Sequence, residues 1–104
     1  MIYVLNITEV IPGKMTERAE FVTKEVAPLF PKWGMKQIAS WHTYTGNMNE
    51  TYSLYEFKDL AEYQKVVETR SKDKDYQRVN PKLNTFQVKV TTNILEPNAW
   101  SPMK

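Results

Sequence analysis

The amino-acid sequence predicts an α+β fold, with a four-stranded antiparallel sheet and the chain order β-α-β-β-α-β. Three observations predict it. The stretch Ser40–Tyr63 reads as strand, turn, strand and helix start, and it holds the only histidine. Runs rich in β-branched and aromatic residues, the types that favour strands, begin and end the chain. Two longer stretches with apolar residues at three- and four-residue steps, the mark of amphipathic helices, separate them.

Ile2 to Ile11 is the first expected strand. Ile2, Val4, Asn6, Thr8 and Val10 alternate with Tyr3, Leu5, Ile7, Glu9 and Ile11. Apolar residues on both faces suit a central strand. Pro12-Gly13 stops it. A helix follows from about Lys14, with Met15, Ala19, Val22, Val26, Leu29, Phe30 and Trp33 on one face. Pro28 and Pro31 remove backbone donors and crowd the preceding turn. They predict a kink near Lys24 or an end near Ala27, with a looser turn to a stop at Gly34.

Met35 to Thr45 and Glu50 to Phe57 are the second and third strands, joined through Gly46-Asn47-Met48-Asn49, residues that tolerate positive φ. A turn centred on Asn47-Met48 sets Tyr44 opposite Thr51, His42 opposite Ser53 and Ser40 opposite Tyr55. One face then carries Ile38, Ser40, His42, Tyr44, Thr51, Ser53, Tyr55 and Phe57. The other carries Ala39, Trp41, Thr43, Tyr52, Leu54 and Glu56. Asp59 is a good N-cap and Glu62 completes a capping-box spacing, so a second long helix is expected from Asp59 to about Thr69. Asp73 to Asn84 is a short third helix, interrupted by Pro81. Phe86 to Leu95 is the last strand, with Phe86, Val88, Val90, Thr92 and Ile94 on one face and Gln87 and Lys89 on the other. The tail carries Trp100, which is costly to leave in water and is expected to pack on the domain or on a partner. The whole is the ferredoxin-like split β-α-β arrangement, with an extra short helix before the last strand.

At 104 residues the chain is one domain, residues 1–104. Both faces of its sheet hold large side chains, yet the chain has helices enough for one face. A second subunit is the simplest cover for the other. Fourteen basic and twelve acidic residues leave a net charge of +2, too little to imply nucleic acid. No apolar run is long enough to span a membrane. The absence of cysteine rules out disulfides and thiolate chemistry. With no secretory leader read at the N-terminus, a cytoplasmic location is expected. One histidine and scattered carboxylates show no metal-ligand spacing, and the three glycines form no phosphate loop.

Four segments carry a family likeness: Ile11-Pro12-Gly13-Lys14; Trp41 through Gly46 to Asn49-Glu50; Leu54 to Glu62 (LYEFKDLAE); and Ile94-Leu95-Glu96-Pro97 with Trp100-Ser101-Pro102. On these the chain resembles a NIPSNAP-type domain of the dimeric α/β-barrel superfamily, with Tyr55 standing where tryptophan would be expected. The resemblance implies a homodimer in which two sheets pack face to face and helices lie outside. It also implies a pocket between sheet and helices. It carries no agreed catalytic motif, and the wider superfamily includes cofactor-free monooxygenases, haem-degrading enzymes, isomerases and ligand-sensing domains.

His42 is the candidate catalytic residue, as general base or haem ligand; the alternative is a structural histidine bonded within the sheet. Ser40, Tyr44, Ser53 and Tyr55 are the candidate ligand-binding residues, offering hydroxyls to a small aromatic or lipidic molecule in an apolar pocket; the alternative is plain packing. Glu56 falls on the opposite face from His42. The run Arg70 to Lys82 reads as a solvated face. The first expectation is therefore a homodimer that binds a small hydrophobic molecule. The second is an oxygenase, cofactor-free or haem-dependent, or an isomerase using His42. The third is a non-catalytic adaptor dimer.

Overall fold

The computed structural model describes residues Met1 to Lys104. Four strands, β1 (Ile2–Val10), β2 (Lys36–His42), β3 (Glu50–Phe57) and β4 (Gln87–Leu95), form one antiparallel sheet in the order β2-β3-β1-β4. The expected chain order and the extra helix are both present. Helices α3 (Leu60–Lys72) and α4 (Lys74–Asn84) follow β3. No helix is long and apolar enough to cross a membrane.

Between β1 and β2 runs one bent helical stretch. It starts as α1 (Met15–Phe21), widens to π geometry at Val22–Val26, tightens to a 3-10 turn at Ala27–Leu29 and ends as α2 (Phe30–Trp33). The cause is Pro28, which has no N–H for the Lys24 carbonyl. The Ala27 N–H reaches back to Val22 O instead, one residue further than in an α-helix. Gly34 closes the stretch in the left-handed region, with φ +80°. Pro81 lies inside α4, which runs through it to Asn84 rather than breaking there.

The helices cover one face of the sheet except along its β4 edge, where Val90 and Ile94 stay exposed. Val4, Tyr55 and Phe57 point into a core completed by Val26, Trp33, Met35, Val66 and Val79. Edge-on aromatic pairs Phe30–Tyr55 (5.7 Å) and Phe57–Tyr63 (5.1 Å) add directional packing. Lys32 ties the end of α2 to the start of α4 through Asp73 (3.0 Å) and Asp75 (2.5 Å). Burial alone would raise the Asp73 carboxyl, but hydrogen bonds from Lys32 and the Asp75 N–H hold it below the usual range. This tie is present above the ordinary carboxylate range and is lost as pH falls through the depressed values.

The opposite face carries no helix. Leu5, Ile7, Tyr52 and Leu54 are its half-buried centre, and Trp41 is 53% exposed. Pro97, Ser101 and Met103 of the tail gather over Tyr3, Leu54 and Leu95 at one end. Trp100 does not pack on its own chain as the sequence had allowed: it is 82% exposed. The molecule is consequently a slab of 40 × 37 × 19 Å.

The β2–β3 register differs from the expectation by two residues. His42 faces Thr51 and Ser40 faces Ser53; beyond a bulge at Ile38 the difference grows to three, and Tyr55 faces Gln37. The connection is a seven-residue loop, 43–49, and not a tight turn, because Gly46 takes up φ +107° and Asn47 folds its side chain onto the Asn49 N–H. A slip of two preserves the faces, so Ser40, His42, Ser53 and Tyr55 remain together on the helix side. Tyr44 leaves the sheet altogether.

The Asp59 cap is present as expected. Its carboxylate accepts from Glu62 N at 2.9 Å, and Glu62 accepts from Lys58 N at 2.6 Å. Asp59→Ala is expected to cost about 1 kcal/mol of stability, read as a lower urea midpoint with an unchanged slope.

Candidate functional site: a cavity between sheet and helices

A cavity of about 560 Å³ opens between the sheet and the bent helix. Its floor is the helix-side face of the sheet, including Asn6, Thr8, Ser40, Thr51, Ser53 and Tyr55. Its walls come from both halves of the bend, Arg18 and Val22 before it, Phe30 and Trp33 after it, and from Arg70, Tyr76, Val79 and Asn80 on α3 and α4. Residues before and after the π and 3-10 segments thus line the same space.

Two β-bulges shape the floor. Between Gln37 and Ala39 the register slips, leaving Ile38 as the extra residue and setting Gln37 opposite Tyr55. Between Glu9 and Val10 the β1–β4 register shifts in the same way, and Gln87 rather than Val88 faces Val10. The expected placement of Gln87 on the outer face is thereby corrected. Each bulge brings a glutamine to the cavity side where regular pairing would have put an aliphatic residue, the known use of a bulge to re-aim a side chain.

These amides engage the principal polar groups. Gln37 Nε2 donates to Tyr55 Oη at 3.4 Å. Arg18 Nε and Nη2 both donate to Gln87 Oε1, each at 3.3 Å. Thr92 Oγ1 donates to Asn6 Oδ1 at 2.9 Å. Burial raises the Tyr55 phenol above its ordinary value, although Ser53, Gln37 and the charges of Arg70 and Arg18 pull the other way. Burial also disfavours the Arg18 charge and lowers its pKa. At neutral pH Tyr55 is therefore a protonated donor and acceptor beside two guanidiniums.

Of the five residues singled out in the sequence, Ser40, Ser53 and Tyr55 line this cavity. His42 and Tyr44 do not. His42 is exposed at the last position of β2, and Tyr44 is 93% exposed in the loop. No group of three or more His, Asp or Glu side chains is placed to hold a metal ion. The residues that sequence reasoning missed are Arg18, Arg70, Gln37 and Gln87. Arg70 belongs to a run expected to be a solvated face, yet it is half-buried, its guanidinium stacked 4.8 Å from the Tyr76 ring. Its position one helical turn beyond Val66, on the buried side of α3, was the available signal.

The split β-α-β order, the two-layer packing and the sheet–helix cavity define a ferredoxin-like α+β protein. Residues 3–102 match the NIPSNAP family model, and the chain belongs to that family. Solved structures agree in fold. An uncharacterized NIPSNAP domain protein from Burkholderia xenovorans superposes with a TM-score of 0.92 at 17% identity, over 98% of this chain and 99% of that one. A NIPSNAP family protein from Agrobacterium tumefaciens gives 0.92 at 22% identity, over 99% and 90%. A putative antibiotic biosynthesis monooxygenase from Nitrosomonas europaea shares the fold more distantly, with a TM-score of 0.70 at 9% identity over 93% and 98%. No curated protein matches the chain by sequence.

The raised Tyr55 pKa has a pH consequence. The folded state favours the neutral phenol, so its contribution is complete below the ordinary tyrosine range and is lost as pH rises through the elevated value. Urea unfolding followed from neutral to strongly alkaline pH is expected to show a fall in stability that is shallower in Tyr55→Phe than in the natural protein.

Proposed function

We propose that the protein is a homodimeric small-molecule-binding protein whose ligand, an aromatic or lipidic molecule, occupies the sheet–helix cavity of each subunit. The observation that carries this reading is the cavity itself. About 560 Å³ lies within the size range of small-ligand sites, and it combines aromatic and aliphatic walls with a few placed hydroxyls and amides.

The uncovered sheet face supports the dimer. The chain exposes 6998 Å², against about 6,100 Å² for a compact monomer of its mass. Its radius of gyration is 14.2 Å, against about 13 Å for a compact domain of this length. The chain is a slab, and Leu5, Ile7, Tyr52 and Leu54 lie half-buried at the centre of its open face. Glu9, Glu50, Lys36, Glu56 and Lys89 ring that centre. An apolar middle within a charged rim is the anatomy of a protein interface, and stacking two such faces would also cover Trp41.

The His42-based enzyme reading draws no support from the cavity, which His42 does not line. His42→Ala is accordingly expected to leave stability within about 0.5 kcal/mol of the natural protein and ligand binding unchanged.

Native mass spectrometry of the purified protein tests the proposal. The expected result is a species of twice the 12.2 kDa chain mass, with non-covalent small-molecule occupancy in protein isolated under gentle conditions. Ile7→Glu, which places a charge at the centre of the open face, is expected to yield monomer with unchanged far-ultraviolet circular dichroism. A monomeric natural protein, or a dimer indifferent to Ile7→Glu, would count against the face-to-face arrangement. A protein that takes up no small molecule from a broad screen would remove the binding role.

A further inference from the structure

The cavity is lined by two arginines and by no aspartate or glutamate, although the chain has twelve carboxylate side chains. Neither Arg18 nor Arg70 makes an ion pair; Arg78, by contrast, pairs with both Glu25 and Asp75. The only side-chain partner of Arg18 is the neutral amide of Gln87. Arg70 touches Met35 Sδ at 3.7 Å and the Tyr76 face, and its Nε is buried with no hydrogen-bond partner. A guanidinium removed from water without a counter-charge, and with a donor unmatched, is a costly arrangement. Both guanidiniums here are half-buried around one space without a counter-charge, and at Arg70 a buried donor is unmatched as well.

The floor of the cavity is built to the same end. Both bulges supply an amide on the cavity side, and the amide of Gln87 holds the Arg18 fork without neutralising it. None of the three glycines lines the cavity, so it has no glycine-built backbone nest of the kind that cradles phosphate. A planar guanidinium matches a carboxylate through paired, charge-assisted hydrogen bonds. Val22, Phe30, Val79 and Leu83 leave an apolar region beside these donors.

We propose that the ligand is an organic carboxylate, its acid group held by Arg18 and Arg70 with the Tyr55 hydroxyl, and its apolar body lying along Val22, Phe30, Val79 and Leu83. This rests on the reading of the cavity as a small-molecule site and specifies the ligand class for it.

The test compares acids with their uncharged isosteres. Octanoate and phenylacetate are titrated calorimetrically into the natural protein at neutral pH and low salt, alongside octanamide and phenylacetamide. The expected result is that at least one acid binds more than about tenfold tighter than its amide, with the preference weakening as salt is raised. Arg18→Gln and Arg70→Gln, each checked for folding by circular dichroism, are expected to abolish that preference. Equal binding of acid and amide would overturn the carboxylate assignment while leaving the cavity as a small-molecule site. Binding of none of the four compounds would overturn the assignment, and the binding role would then stand or fall on the broad screen. An acid preference that survives in both folded variants would overturn the role given to the two arginines. Should either variant fail to fold, the acid–amide contrast in the natural protein still decides whether the site selects an anion.

Discussion

A sheet with apolar side chains on both faces, in a chain with helices for only one, is the constraint from which the rest of the structure follows. On the helix side, Val4, Tyr55 and Phe57 find a core. On the other side, Leu5, Ile7, Tyr52 and Leu54 have only one another and the edge of the C-terminal tail. The slab shape and the outward Trp41 go with that imbalance. Burial of apolar area is the main favourable term in folding, and on the outer face Leu5, Ile7, Tyr52 and Leu54 are only half-buried in a single chain.

The helix side shows a second economy. Pro28 forces the first helix out of α geometry, and residues on both sides of the resulting π and 3-10 segments line the cavity. That space is lined by groups that cost stability: two unpaired guanidiniums, a buried phenol and several amides. Two bulges turn glutamines towards it in place of Ile38 and Val88. Irregular backbone and uncompensated polar groups concentrated in one place are the pattern expected where local stability is given up for binding.

Much of the fold was legible in the sequence because it rests on local signals. The element order came from the switch between period two and helical spacing, and the α3 start from Asp59 and Glu62. The bend was read from Pro28 and Pro31. The shared face of Ser40, His42, Ser53 and Tyr55 survived an error in register because that error was two residues. What was not legible depends on contacts distant in sequence. Loop length decided that Tyr44 leaves the sheet, and residues permissive of a tight turn equally permit the longer loop. Ile38 and Val88 look like ordinary strand residues, and nothing local marks either as a bulge. Arg18 and Arg70 stand 52 positions apart in the chain and look like any helix-surface arginines until the fold brings both to one cavity without a carboxylate. His42 has the chemistry of a catalytic residue, but its place at the end of an edge strand, next to an exposed loop, sets it outside the cavity.

The central claim is that the open sheet face is closed by a second copy of the chain. Small-angle X-ray scattering over a dilution series tests it most directly, because the single chain is only 19 Å thick. The account predicts a particle of twice the chain mass whose shortest dimension is roughly doubled by stacking one sheet on another, at about 10 Å between sheets. A flat particle of single-chain mass at every concentration, with a radius of gyration near 14.2 Å, would contradict it.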